Sequence, residues 1–270
     1  MATSTVLGIS SAVFYFSSTL YALYALKSHQ PINRRILLTL AILGICCNTL
    51  QIALNILEHP TITLHLDLFS IATLFGWMLA VLATSVLWRH PLEMLAVVSY
   101  TCSGLAIISS IYLTTPHTQQ INLSTGVYIH ISLSIMAYCM IALAMGQSSI
   151  IAIQNHQLRN KKMNQLITVL PPLQTMESLL FKLLTIGTFM LATAIITGLI
   201  YVDDFWAQHL LHKTILSLLS LGVFTLLLCG RYFLGWRGTT AIQCTWVGFI
   251  ILMLGYFGSK LVLEVILKRG

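Results

Sequence analysis

Runs of about twenty apolar residues recur along the whole of this 270-residue chain, at 5–26, 36–57, 68–88, 94–114, 128–153, 180–201, 213–233 and 242–266. Each is long enough to cross a bilayer core of ~30 Å as a helix. That repetition leaves few folds open. Only 8% of the residues are charged and 57% are hydrophobic, with a mean hydropathy of +0.87. A soluble domain carries about 25% charged residues, so this chain lacks the polar side chains to cover a globule in water. Alternation at period two is absent, which argues against an outer-membrane barrel. The expected fold is therefore all-α, a polytopic helical bundle of about eight transmembrane helices, forming one transmembrane domain over residues 1–270.

The basic residues give an orientation. The first apolar run has no basic segment before it, and Lys27, Arg34 and Arg35 follow it instead. That argues against a cleaved signal peptide and for a first helix inserted with its N-terminus outside. On this expectation Lys27, Arg34, Arg35, Arg89, Arg159, Lys161, Lys162, Lys182, Arg231 and Arg237 are inside, against Lys213, Lys260, Lys268 and Arg269 outside. The C-terminal LKRG runs against the rule. The formal charge of +7 is then mainly a topology signal. No basic face with interleaved aromatics exists, so nucleic acid is not an expected partner; the lipid bilayer is.

Catalytic chemistry is sparse. There is no nucleophile motif, P-loop, Gly-rich dinucleotide turn or carboxylate pair within a span, and the chain is not expected to be an enzyme. All six cysteines fall inside apolar runs. With no CxxC, thiol transfer has no motif. With no CxxCH, the chain is not itself a c-type cytochrome.

Polar chemistry concentrates in three places. The second span carries Asn48, Gln51 and Asn55 at offsets of three and four, on one helix face. Amides there ordinarily join helices by hydrogen bonds, and all three are expected to face the interior. After Pro171 and Pro172, Thr175 reads as an N-cap, with Glu177 in the first turn of a helix longer than its membrane crossing. Third, the outer connections hold His59, His65, His117, His130, His209 and His212, against His29, His90 and His156 inside. Histidine bias is no topology signal. A single interfacial histidine is ordinarily without a ligand, but His130 and His212 each open a span, which puts both rings at about one depth. Two such rings can clamp a flat macrocycle through neutral imidazole nitrogens. Beside His212, in VDDFWAQHLLHK (202–213), Phe205 and Trp206 offer a stacking surface, and Lys213 a partner for a carboxylate.

Three stretches carry a family likeness: YIHISLSIMAYCMIALAM, GLIYVDDFWAQHLLHKTILSLLSLGVFTLLLCGRYFLGWRG, and the closing WVGFIILMLGYFGSKLVLEVIL. With PPLQTMESLLF they resemble the C-terminal half of the cytochrome c assembly family of membrane haem-handling proteins (CcsA, CcmC and HemX types), the ending being most similar to the small YpjD-type branch. The resemblance is strongest over 128–266. It implies a bacterial inner-membrane protein that presents haem, here haem b, at the outer face and supports cytochrome c assembly beside other assembly components. It implies that His130 is an axial haem ligand. The chain departs from the pattern in three ways. The tryptophan-rich external motif is reduced to Trp206. HKT stands where the family has an aspartate-proline-lysine stretch. No histidine follows the last outer helix. His212 is the candidate for the missing ligand on position alone, making His130 and His212 the candidate metal ligands and Trp206 and Lys213 their neighbours. A small transporter lined by the second-span amides, and a scaffold for a partner membrane complex, are the alternatives.

Overall fold

The computed structural model describes residues 2–28, 30, 32–58, 68–90, 92–112, 124–160, 170–201 and 208–255, without the side chains of 2, 56–58, 68–70 and 208–212. All the apolar runs are helical there. The helices are α1 (Ala2–Lys27), α2 (Arg34–Glu58), α3 (Leu68–Arg89), α4 (Glu93–Tyr112), α5 (Thr125–Arg159), α6 (Leu173–Tyr201), α7 (Gln208–Leu234) and α8 (Thr239–Met253). Seven of them are long and apolar enough to span a membrane, and α8 is the shorter apolar helix. In lipid no water can satisfy a free N–H or C=O, so a chain of this composition closes its backbone bonds within each helix. The protein is an all-helical integral membrane protein.

The residues cluster into two compact units, one drawn from Met1–Asn122 and Gln154–Pro171, the other from Leu123–Ile153 and Pro172–Gly270. In the first unit consecutive helices run antiparallel. A Cβ on Gly8 would meet the Gln51 amide and one on Gly44 the Tyr15 ring, which sets the register of α1 on α2. Phe16 lies against Gly104, and Thr19 Oγ1 is 3.2 Å from Thr101 Oγ1, pairing α1 with α4. The Ser103 hydroxyl donates to the Gly76 carbonyl at 2.7 Å, where α3 and α4 approach closely. Small residues permit these approaches, and packing with hydrogen bonds holds spans together where lipid supplies no hydrophobic drive between them.

Asn48 and Gln51 are buried, as their shared face requires, but Asn55 is exposed. The sequence-based expectation of three interior amides therefore holds for two. Asn55 lies in the last turn of α2, where water or headgroups can satisfy an amide that the hydrocarbon interior cannot.

In the second unit α5 and α6 are antiparallel along their length. Tyr201 packs on Gly126, Ile141 and Met140 on Gly187, and the Gln147 amide donates to the Met176 carbonyl at 3.3 Å. Ser220 of α7 donates to the Gly248 carbonyl of α8 at 2.8 Å. Helix α6 begins at Leu173, so Thr175 is not its N-cap; its backbone N–H already donates to Pro172 O at 2.9 Å. Nor does Glu177 serve its own helix. Its carboxylate accepts the Gly238 N–H at 3.0 Å and so ties α6 to the turn before α8. That turn, GWRG, has Gly235 at φ 68° and Gly238 at φ 62°. Both lie in the left-handed region, where a Cβ is strained. Trp236 folds back on Gly230, and Arg231 donates to the Trp236 carbonyl at 3.3 Å with its guanidinium 4.6 Å above the Phe181 ring.

Candidate functional site

His130 stands in the second turn of α5, half-buried against α6. Its Nδ1 lies 2.8 Å from the Ala194 carbonyl oxygen and 3.4 Å from Thr197 Oγ1, and the Thr197 hydroxyl donates to the same carbonyl at 2.9 Å. A carbonyl oxygen can only accept, so the proton of the neutral imidazole sits on Nδ1. The lone pair is then on Nε2, and Nε2 has no hydrogen-bond partner among the described residues. Ligating histidines are held this way: one ring nitrogen donates to a carbonyl, which fixes tautomer and ring direction, and leaves the other as donor to the metal.

Gly198 makes the arrangement possible. It is buried in α6, one turn beyond Ala194. A Cβ there would lie 2.8 Å from His130 Cε1 and 3.1 Å from Nδ1. The ring can reach the Ala194 carbonyl only because that face of α6 has no side chain at 198. Ala194, Thr197 and Gly198 were not singled out from the sequence, although ATAIITG carries small residues at an offset of four. That spacing marks a face where a neighbour approaches closely.

The other sequence candidates stand as follows. Trp206 lies outside the described residues, as do His59, His65 and His117. His209 and His212 fall in the first turns of α7, but their side chains are also outside. Lys213 is half-buried in α7. Among the described residues, no three His, Cys, Asp or Glu side chains gather to hold a metal ion. A haem iron asks less, since the porphyrin supplies four of its ligands and one or two imidazoles complete the set. The described part of the site offers one such imidazole nitrogen, Nε2 of His130.

Comparison with known proteins extends the likeness beyond the C-terminal half. The inner membrane protein YpjD of Escherichia coli is 27% identical over 235 residues, covering 86% of this chain and 88% of that protein. The protein HemX of Brevibacillus brevis is 23% identical over 258 residues, covering 92% of this chain and 90% of its own length. No solved structure matches the chain. The family described as cytochrome C assembly protein matches residues 4–267, from the first helix to the last, and the chain belongs to that family.

Proposed function

We propose that this protein binds haem at the outer end of its second unit, where His130 would hold the iron, and presents it for cytochrome c assembly in a bacterial inner membrane. The observation that carries this reading is the tautomer of His130: the Ala194 carbonyl fixes the Nδ1 proton and leaves Nε2 unpartnered. Membership of the cytochrome C assembly family supports it, as does the inner-membrane name of the YpjD relative. Bound haem would supply a redox-active iron and a vinyl-bearing porphyrin, whose chemistry is the cofactor's own. The chain's residues hold and orient it and make no bond to substrate themselves. His212 would supply a second ligand, Trp206 a stacking surface and Lys213 a charge to pair with a propionate. In this orientation the N-terminus is outside and the basic connection between α5 and α6 is inside.

The test is absorption of the purified, haem-supplemented protein. A Soret band in near-stoichiometric amount is expected for the wild type, reduced at least tenfold in His130→Ala. A wild type without the band, or a His130→Ala variant with an unchanged one, overturns the assignment.

A further inference from the structure

At the end of the first unit where α1 and α3 finish and α2 begins, an open cleft of about 480 Å³ is lined by Ile32, Asn33, Arg34, Arg35, Leu38 and Trp88. We infer that this cleft binds the phosphate headgroup of an anionic phospholipid, independently of any haem site.

Two arginines face the cleft, and neither makes an ion pair among the described residues. The chain is poor in acids. The one at this end of the unit is Glu93, in the first turn of α4, and it does not line the cleft. Arg34 is already aimed by a hydrogen bond from Nη2 to the Leu87 carbonyl near the end of α3, while its Nε is buried and is not among the donors a ligand can reach. A guanidinium held by one edge has its remaining donors directed, and phosphate is the oxyanion its fork matches. Asn33 caps α2: its carbonyl accepts the Ile36 and Leu37 N–H groups at 3.1 and 3.3 Å, and its side-chain oxygen accepts the Arg35 N–H at 3.0 Å. The Asn33 N–H donates to the Tyr21 hydroxyl at 3.1 Å, which fixes the connection to α1. The cleft thus sits at a braced helix start, where the helix dipole adds to the two cations.

The rest of the lining says which phosphate. Ile32, Leu38 and Trp88 are apolar, Trp88 is 66% exposed, and α2 continues away from the cleft with Ile36, Ile42 and Leu43 all exposed. A free phosphate uses none of that surface. A phospholipid uses all of it, with its headgroup on the arginines, its glycerol region against tryptophan and its acyl chains along α2. Arginine pockets between spans and tryptophan at the headgroup level are the usual components of such a site.

Native mass spectrometry of the purified full-length protein tests it, by titrating phosphatidylglycerol, phosphatidylcholine and inorganic phosphate separately. Each arginine that the bound headgroup contacts contributes about fivefold to binding an anionic lipid. The wild type is therefore expected to prefer phosphatidylglycerol over phosphatidylcholine by about 25-fold. Arg35→Gln should cut this to about fivefold and Arg34→Gln/Arg35→Gln to near parity, while Arg237→Gln, in the second unit, leaves it unchanged. Should the double variant misfold, Arg35→Gln alone decides, because its side chain is exposed and holds no other element. A wild-type ratio near one overturns the inference, and so does a wild-type ratio kept in Arg35→Gln. Inorganic phosphate binding alone as tightly as phosphatidylglycerol also overturns it, since the site would then take a free anion rather than a lipid.

Discussion

The imidazole of His130 rests on the backbone of Gly198, so closely that a single methyl group at 198 would lie 2.8 Å from His130 Cε1. Real Cβ contacts do not reach that distance, so in Gly198→Ala something must shift, and the His130 ring, a side chain, is what can give. The variant is expected to lose most of the Soret absorbance and about 1–3 kcal/mol of stability through overpacking. Gly222→Ala in α7 is the control. A Cβ there meets nothing within 4 Å, so the substitution should be neutral or stabilising by about 0.5–1 kcal/mol. Absorbance per protein and thermal unfolding in detergent read both. Full Soret absorbance in Gly198→Ala would show that the ring does not need this face.

Two stacked tyrosines in the first unit should respond in opposite senses to the same deletion. Tyr15 and Tyr100 lie with ring centroids 6.0 Å apart. The Tyr100 hydroxyl is 2.9 Å from Thr84 Oγ1, whereas the Tyr15 hydroxyl, with the Asn48 and Ser11 side chains beside it, makes no hydrogen bond within 3.5 Å. Tyr100→Phe breaks a buried bond and is expected to cost about 1 kcal/mol. Tyr15→Phe removes a buried hydroxyl that makes no close hydrogen bond and should leave stability unchanged or raise it. Thermal midpoints of the two variants, side by side, give the answer; a Tyr15→Phe loss equal to that of Tyr100→Phe contradicts it.

Glu177 should matter to the turn before α8 rather than to its own helix. Glu177→Ala leaves the Gly238 N–H without its acceptor and is expected to cost about 1–2 kcal/mol. Glu177→Gln keeps an acceptor oxygen and should lose less. Gly238→Ala forces a Cβ into φ 62° and adds about 1–2 kcal/mol of its own. Because both act on one turn, the double variant is expected to cost less than the sum. Strict additivity in a double-mutant cycle would separate the two residues.

Orientation is open to a direct assay. An alkaline phosphatase reporter, active only outside the cytoplasm, is expected to be active when fused after residue 122 and silent when fused after residue 160. Those positions flank α5, which carries His130 near one end and Arg159 at the other. The reverse pattern would put His130 on the cytoplasmic side and defeat outward haem presentation.

The apolar runs by themselves determined that the chain is helical and, among the described residues, about where its helices lie, because in hydrocarbon a long apolar segment has one way to satisfy its backbone. The sequence also marked His130, through its place at the mouth of a span and the stretch around it. It did not show what holds that ring. The Ala194 carbonyl and the bare backbone of Gly198 are 64 and 68 residues away along the chain, and only the antiparallel register of α5 on α6 brings them under the imidazole. The same is true of Glu177. Local rules place an acid near a helix start to serve that helix's dipole, yet its oxygen found an N–H 61 residues later, which no local rule can see. Asn55 shows the converse. Spacing put it on the face of Asn48 and Gln51, but its depth in the bundle decided its exposure, and depth is a property of the packed helices rather than of one helix's periodicity.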